Sequence, residues 1–481
     1  MTSRASVAPT VGCVTCRHRR KKCDQRKPTC KACERNILIC VYPQNAVGDA
    51  GPSHKTTAAE LQESRTSLVK TSPSSHILSS SRGNEDRRNS LQQLRRTPNQ
   101  ILSLTRPESS FLHDHYLNRT ARMLSATYTG QNPFVKVLLP LAAWSDMILQ
   151  GVLALSGVHF ESQKPANHLV ATYEHLAQAL RGLKYGLTRF VSGQTDLALE
   201  LLVTTLLFCF IECVRGDTDG NAFLHLNAAR HLFPSILQDM ALTKTEPETI
   251  SFLLEYYTYI LSLSSFSLPS NPDAFLANDV ELAFEAVSRF EKPMTGMLLG
   301  CAHELFTVIP YAMTGPDDGD FETSQFCHID ASTLRQKVLS WSPPQKYSQN
   351  WIAAGRLYQL AILLLLEDRI RNPESYRVEE TSHTYICDFV TLLQTITVGS
   401  TITTTLCWPL AVAGSYAYTT EHQRVINQYL TEMIANYGFG NLSQLQSLLH
   451  NVWDNSSRES EKTDTLLATM KKQGLTRILL A

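Results

Sequence analysis

The sequence lacks the short motifs that mark most nucleotide-using and hydrolytic enzymes. Its 481 residues contain no G-x-x-x-x-G-K-[ST], G-x-G-x-x-G, H-E-x-x-H or G-x-S-x-G pattern, so no phosphate-binding loop, metalloprotease helix or nucleophile elbow is predicted. Two weaker patterns do not replace them. His225 and His231 share a helix face only loosely, and the acidic run 317–320 lacks the spacing of a calcium loop. We therefore predict that the chain is not an enzyme.

Long apolar runs are also scarce. The chain opens without the apolar core of a signal peptide, so a reducing compartment is expected. The run 201–211 is only eleven residues long, and 393–420 is uncharged but interrupted by Pro409. We expect the first to be a buried helix and the second to be two buried helical pieces joined near Pro409. No membrane partner is predicted.

Aromatic residues are missing from one long segment. Residues 44–110 contain no Phe, Trp or Tyr, and Ser, Thr, Gln, Asn and Arg dominate them. Such a segment cannot bury enough apolar surface to fold, so we predict a disordered Ser/Arg-rich linker at 44–110 and a disordered lead-in at 1–12. Leucine pairs at 61/68 and 91/94 are too few for a coiled coil, which leaves the oligomeric state open. Ser90, after two arginines, is a candidate phosphorylation site.

What the sequence does contain is a compact cysteine cluster near its start. Six of the 12 cysteines fall within residues 13–40, and the spacing C-x2-C-x6-C occurs twice with a six-residue connection. A C-x2-C pair can place two sulfurs on one metal ion through a tight turn, and a third cysteine can return after a short helix. The candidate metal ligands are Cys13, Cys16, Cys23, Cys30, Cys33 and Cys40.

The ligand count predicts two Zn²⁺ ions. Zinc takes four donors, so six thiolates serve two ions only if two sulfurs are shared. The first cysteines of the two halves, Cys13 and Cys30, are the natural bridges. A disulfide framework is not expected in a reducing compartment, and iron–sulfur ligation usually brings tighter cysteine runs. A single site built from the two C-x2-C pairs would leave Cys23 and Cys40 without a role.

Charge is divided unevenly along the chain. Residues 1–45 carry ten Lys or Arg against two acidic residues, whereas the whole chain carries 44 of each sign. The neutral total therefore combines a head of net charge +8 with a body of −8. A basic head binds phosphate through counterion release, and the run 17–22 could also serve nuclear import.

The cluster resembles the Zn(II)2Cys6 binuclear-cluster DNA-binding domain of fungal transcription factors. The resemblance covers every cysteine interval, the basic run 17–22 and Pro28. It implies that Cys13, Cys16, Cys23 and Cys30 hold one zinc, and that Cys13, Cys30, Cys33 and Cys40 hold the other. It also implies that Arg19 and Arg20 read a CGG triplet in the major groove, where the family often has lysine. Arginine suits the same reading, because its fork fits guanine O6 and N7. Arg17, Lys21 and Lys22 complete the predicted DNA-binding set.

A second resemblance covers residues 111–475. The segments 132–134, 138–142, 151–159, 408–414 and 448–453 are similar to the fungal-specific transcription factor domain of the second type, found in sterol-uptake, arginine-metabolism and acriflavine-resistance regulators. The resemblance implies an all-helical regulatory domain, which in some relatives binds a small hydrophobic effector or mediates activation, so a hydrophobic effector or a co-regulator is expected as its partner. Periodicity agrees with helices: seven apolar residues from Leu169 to Phe190 recur at steps of three and four, and we expect them to form one buried face.

We thus predict a mostly α protein. It would consist of a Zn2Cys6 domain at 13–43, the linker at 44–110 and an all-α regulatory domain at 111–481. The predicted function is that of a nuclear, sequence-specific transcription factor that binds double-stranded DNA at CGG half-sites, alone or as a homodimer, and activates a metabolic or secondary-metabolite gene set. The alternative is a protein-interaction or repressor-type regulator whose helical domain does the main work while the cluster binds DNA weakly.

Overall fold

The computed structural model of the chain describes residues 16, 21–27, 30–32, 104–126, 132–164, 169–240, 246–264, 279, 282–286, 296–313, 330–370, 377–456 and 478–481. The chain divides into two compact units, Met1–Ser79 and Ser80–Ala481. In the described part of the first unit, Cys16 and the pair Lys31 and Ala32 are helical.

The second unit is built from helices, and within its described ranges the only strand-like pairing is an isolated bridge between Val398 and Ser400. This confirms the predicted mostly α fold. A π-helical turn, Tyr116–Thr120, follows the first helix, and a 3₁₀ helix occupies Thr401–Thr405. The α-helices are α1 Pro107–His115, α2 Ala121–Met123, α3 Pro133–Lys136, α4 Leu138–Trp144, α5 Asp146–Gln163, α6 Val170–Val191, α7 Ala198–Arg215, α8 Asn221–Met240, α9 Pro247–Ser264, α10 His303–Phe306, α11 Ile309–Met313, α12 Ala331–Ser340, α13 Gln349–Ile370, α14 Arg377–Leu393, α15 Cys407–Ser415, α16 Thr420–Tyr437 and α17 Gly440–Ser456.

Helix α7 lies at the centre of the core. Every residue from 201 to 214 is buried, which agrees with the prediction of a core helix, and α5, α6, α8, α9 and α17 pack around it. The helix ends at Gly216, whose φ of 72° closes it in the left-handed conformation. At that point a Cβ on Gly216 would lie 2.7 Å from the backbone of Gly440, so α17 begins in close contact with the end of α7.

The buried face of α6 follows the predicted stripe only in part, since Leu176 and Leu183 are buried but two other members are not. The helix forms where expected, but Tyr173 is 49% exposed and Leu180 is 41% exposed. Small residues take their place on the buried face, including Ala179 and Gly186. A Cβ on Gly186 would lie 2.5 Å from Leu201 Cδ2, so the glycine allows α6 to approach α7 closely. Apolar periodicity located the helix, but close packing of small residues decided which face is buried.

One expected boundary shifts, and another is located more closely. Helix α1 begins at Pro107, four residues before the predicted start of the helical domain, with the proline in its first turn. Proline is favoured there because its missing N–H has no helical partner, and Arg106 forms an ion pair with Glu174 at 2.7 Å. In the uncharged stretch, the 3₁₀ helix and α15 meet at Leu406. Pro409 lies in the first turn of α15, three residues after this junction, so the two pieces are joined near the proline, as predicted, and not at the proline itself.

The segments that carry the second resemblance are structural. Asn132 caps α3 by accepting a hydrogen bond from Phe134 N–H at 2.9 Å, and the Phe134 ring is fully buried against Phe252 and Tyr256. Near the C-terminal end, the indole N–H of Trp453 donates to the carbonyl of Gly414 at 2.9 Å. These segments therefore hold helices together.

Candidate metal centre and nucleic-acid interface

Three of the six predicted zinc ligands are described, and the structure brings them together. The sulfurs of Cys16, Cys23 and Cys30 all lie within 4.8 Å of one another. Cys16 and Cys30 are buried and Cys23 is half-buried. They come from separate positions along the first unit, so their convergence depends on the path of the chain.

The distances fit a shared metal ion. The Sγ atoms of Cys16 and Cys30 are 3.6 Å apart, far beyond the roughly 2.05 Å of a disulfide bond. Two thiolates on a tetrahedral zinc, each with a Zn–S bond of about 2.3 Å, lie roughly 3.7 Å apart. Cys16, Cys23 and Cys30 belong to the one ligand set that the resemblance assigns to a single zinc, and all three are free thiols.

Backbone groups around the thiols favour their ionised form. The N–H of Gln25 points at Cys23 Sγ at 3.4 Å, and Gln25 has a φ of 59°. An N–H donor directed at sulfur stabilises the thiolate that binds a metal. Asp24 Oδ1 accepts a hydrogen bond from Lys31 N–H at 2.9 Å, which ties the loop after Cys23 to the helical residues after Cys30.

Two of the predicted DNA-binding residues are described, and both are exposed. Lys21 and Lys22 lie at the surface, and the N–H of Lys21 donates to the carbonyl of Cys16 at 2.9 Å. This bond holds the lysine backbone beside the first buried thiol. The two ammonium groups are therefore presented to solvent next to the thiol cluster, where a polyanion can reach them.

The other predicted site residues lie outside the described residues. These are the zinc ligands Cys13, Cys33 and Cys40, the DNA-binding residues Arg17, Arg19 and Arg20, and the candidate phosphorylation site Ser90.

The six cysteines beyond residue 40 are scattered without ligand spacing, which predicts buried thiols. One of them, Cys327, lies outside the described residues. Four of them are buried, at positions 209, 213, 301 and 407, and burial raises the pKa of each. Cys387 differs, because it is only half-buried. Its Sγ lies 3.6 Å from His383 Nδ1 and 3.7 Å from His422 Nε2. The i, i+4 spacing on α14 hinted at the first contact, but nothing local in sequence pointed to His422.

The two histidines considered in the sequence analysis, His225 and His231, lie in different environments on helix α8. His225 stacks on Phe208 with ring centroids 4.8 Å apart, and burial lowers its pKa to about 4. His231 is exposed on the same helix. Among the helices that the structure describes, none is long and apolar enough to cross a bilayer.

A thiol cluster that can bind zinc beside exposed lysines, in a chain that also has a large helical unit, is typical of DNA-binding regulatory proteins. Comparison with known families agrees with this assignment. Residues 11–47 match the fungal Zn(2)-Cys(6) binuclear cluster domain, a zinc-binding domain. Residues 110–479 match the fungal specific transcription factor domain. The chain therefore belongs to the family of fungal transcription factors that carry this domain, which confirms both resemblances.

Individual relatives are more distant. The transcriptional activator protein UGA3 of Saccharomyces cerevisiae is 26% identical over 219 residues, which cover 43% of this chain and 41% of that protein. White-opaque regulator 2 of Candida albicans is 63% identical over 34 residues, 7% of this chain and 8% of that protein. The chain thus spans less than half the length of these curated relatives. No solved structure matches the chain.

Proposed function

We propose that this protein is a zinc-dependent, sequence-specific DNA-binding transcription factor. The observation that carries the proposal is the convergence of Cys16, Cys23 and Cys30 at zinc-binding distances beside the exposed Lys21 and Lys22. A metal-organised cluster fixes the basic residues in one orientation, which phosphate and base recognition both need.

The proposed metal content is two Zn²⁺ held by six thiolates. Cys13, Cys16, Cys23 and Cys30 hold the first ion, and Cys13, Cys30, Cys33 and Cys40 hold the second. The 3.6 Å separation of the Cys16 and Cys30 sulfurs supports the first set. Two divalent ions against six thiolates leave the cluster at about −2, which the surrounding lysines and arginines offset.

The proposed division of labour on DNA separates base contacts from phosphate contacts. Arg19 and Arg20 read guanines of a CGG triplet, because each can offer two donors to guanine O6 and N7. Arg17, Lys21 and Lys22 bind phosphates and fix the register.

The remaining parts of the proposal concern context. We place the protein in the nucleus, where its DNA target lies, and we infer an activator of a metabolic or secondary-metabolite gene set, since one similar protein carries the name of a transcriptional activator. Homodimer formation on paired half-sites and phosphorylation of Ser90 remain predictions.

The small hydrophobic effector also remains a prediction. One apolar cavity, beside Phe210, Tyr259 and Phe439, has a volume of only about 20 Å³, room for about one water molecule.

The proposal is tested by the salt dependence of DNA binding. Zinc-loaded protein should bind a duplex with paired CGG triplets, and chelation should abolish the binding. Replacement of Lys21 and Lys22 by alanine should make the decrease of log K with log salt concentration shallower by about two units of slope. Binding should still prefer CGG. Lys337→Ala, an exposed lysine of the helical unit, is the matched control and should leave the slope unchanged. Equal slopes in the double variant and the control would contradict the phosphate assignment. Binding that survives chelation would contradict the zinc-dependent function itself.

A further inference from the structure

A polar cavity lies at the meeting point of three elements of the helical unit. Its volume is about 330 Å³, within the lower range of small-molecule sites. One wall is the π-helical turn 116–120 with α2, the second is the segment 399–404, and the third is the last turn of α16. The residues of the first wall are more than 270 positions away in sequence from those of the other two walls.

The lining of this cavity is basic and lacks carboxylates. Arg119 and Arg122 supply its charged groups, and its other polar side chains are amides and hydroxyls. Both arginines are exposed. Within the part of the chain that the structure describes, neither guanidinium is within ion-pairing distance of a carboxylate. Two unneutralised guanidinium groups at one cavity produce a positive potential that attracts anions.

The charge of Arg119 also bears on two neighbouring histidines. Burial is the largest cause of the lowered pKa of His115, and the positive charge of Arg119 lowers it further. The same charge is a smaller cause of the lowered pKa of His159, after burial and the charge of His115.

Several uncharged groups are placed to complete an anion site. Ser400 Oγ accepts a hydrogen bond from Asn350 at 3.2 Å, so its own proton is available to a ligand. Asn118 uses one amide proton on the carbonyl of Asp114 at 2.9 Å and keeps the other. A Cβ on Gly399 would meet no atom within 4 Å, so a ligand can approach the backbone there.

The local backbone supports a binding role. Asn118 and Arg119 lie on the π-helical turn, whose register is marked by the hydrogen bond from Ala121 N–H to the carbonyl of Tyr116. Such turns are rare, and they are frequently found at functional sites. Opposite this turn, the hydroxyl of Tyr437 accepts a hydrogen bond from Gly399 N–H at 3.1 Å, which joins the other two walls.

We propose that this cavity binds a small dianionic metabolite, either a dicarboxylate or a phosphate monoester. The two guanidinium groups match two negative charges, and the absence of any carboxylate in the lining removes the repulsion that an anion would otherwise meet. A bound dianion connects the π-helical turn, the 399–404 segment and α16. Its use as a regulatory signal for transcription rests on the proposed function, whereas the binding site does not.

The test is titration calorimetry on the full, zinc-loaded chain with succinate and glycerol 3-phosphate as probes and acetate as the monoanionic control. At least one dianion should bind with a Kd between about 10 μM and 1 mM, more weakly as salt is raised, and acetate should bind at least tenfold more weakly than that dianion. Arg119→Gln and Arg122→Gln should each weaken the binding by about tenfold or more. Arg181→Gln, an exposed arginine on α6, should leave it unchanged.

The preferred probe distinguishes the two chemistries. Succinate binding identifies a dicarboxylate site, and glycerol 3-phosphate binding identifies a phosphate site. Absence of binding by both probes up to about 10 mM, or equal affinity in the two cavity variants and wild type, would overturn the proposal. Zinc-dependent DNA binding is measured separately on the same samples. If wild-type protein shows no zinc-dependent DNA binding, the proposed function is refuted, and the result for the cavity is unaffected.

Discussion

The pH dependence of stability offers a quantitative test of the core around His159. This histidine is fully buried, and its Nε2 lies 3.0 Å from the carbonyl of Tyr437. Because a carbonyl only accepts, Nε2 carries the proton, and Nδ1 accepts from the hydroxyl of Thr120 at 2.9 Å. The neutral ring is therefore hydrogen-bonded through both nitrogens. A second proton would reverse the bond to the Thr120 hydroxyl and place a buried positive charge beside His115 and Arg119.

The sign and size of the effect follow from the pKa. Burial lowers the pKa of His159 from 6.5 to about 4, so the unfolded chain takes up the proton first as pH falls. The stability that the neutral ring contributes is fully present above about pH 6.5 and is lost progressively between pH 6.5 and 4. With these two pKa values, the free energy of unfolding should fall by about 2 kcal/mol between pH 7.5 and 5 through this one group.

The assay compares urea unfolding at pH 7.5 and pH 5 at constant ionic strength, followed by tryptophan fluorescence. His159→Gln removes the titrating ring, so its stability should decrease less between the two pH values than that of wild type, by about 2 kcal/mol. His231→Gln, a change at an exposed histidine on α8, should follow the wild-type curve. Loss of zinc at low pH affects all three proteins alike and cancels in the comparison. Parallel curves for His159→Gln and wild type would refute the reasoning.

Three other predictions concern the metal centre, the DNA contact and a buried carboxylate. Cys30→Ser should remove both zinc ions, because this sulfur is assigned to each, whereas the control Cys387→Ser should retain both. Elemental analysis measures the zinc content, and one zinc fully retained in Cys30→Ser would contradict the assignment of Cys30 as a bridging ligand. Arg20→Ala should reduce the preference for one guanine by about 1 to 3 kcal/mol, and a uniform loss on all sequences in a competition assay would make Arg20 a phosphate contact instead. Glu255 accepts backbone hydrogen bonds from residues 296, 298 and 299 at 3.0, 2.9 and 3.3 Å. Glu255→Gln should therefore lower the free energy of unfolding, measured with denaturant, by about 3 kcal/mol, whereas Glu432→Gln, at an exposed position, should change it little. Equal unfolding midpoints for Glu255→Gln and wild type would show that these hydrogen bonds do not stabilise the fold.

The candidate metal centre was predictable from sequence because its ligands lie close together along one short segment. Cys16, Cys23 and Cys30 follow one another at intervals of only seven residues, and zinc ligands that lie so close together in the chain leave a regular spacing in the sequence. The helical character of the second unit was predictable for a similar reason, since apolar spacing along a single segment reflects burial of one side of a helix.

The features that sequence reasoning missed depend on contacts between distant segments. Gly186 places α6 against Leu201, and apolar periodicity gives no weight to a glycine. The cavity is assembled from Arg119, Ser400 and residues of α16, none of which forms a motif within its own segment. Sequence alone led to the expectation of a hydrophobic effector, whereas the larger of the two cavities described above has a basic, polar lining.

The central claim is that the thiol cluster makes this chain a zinc-dependent reader of specific DNA sequences. Selection of binding sites from random DNA, with zinc-loaded full-length protein and a chelator control, tests it most directly. We expect enrichment of CGG triplets that chelation abolishes, and paired triplets at a fixed spacing would identify a dimer. Recovery of no enriched sequence by zinc-loaded protein would contradict sequence-specific, zinc-dependent binding and favour a regulator that acts through protein contacts of the helical domain.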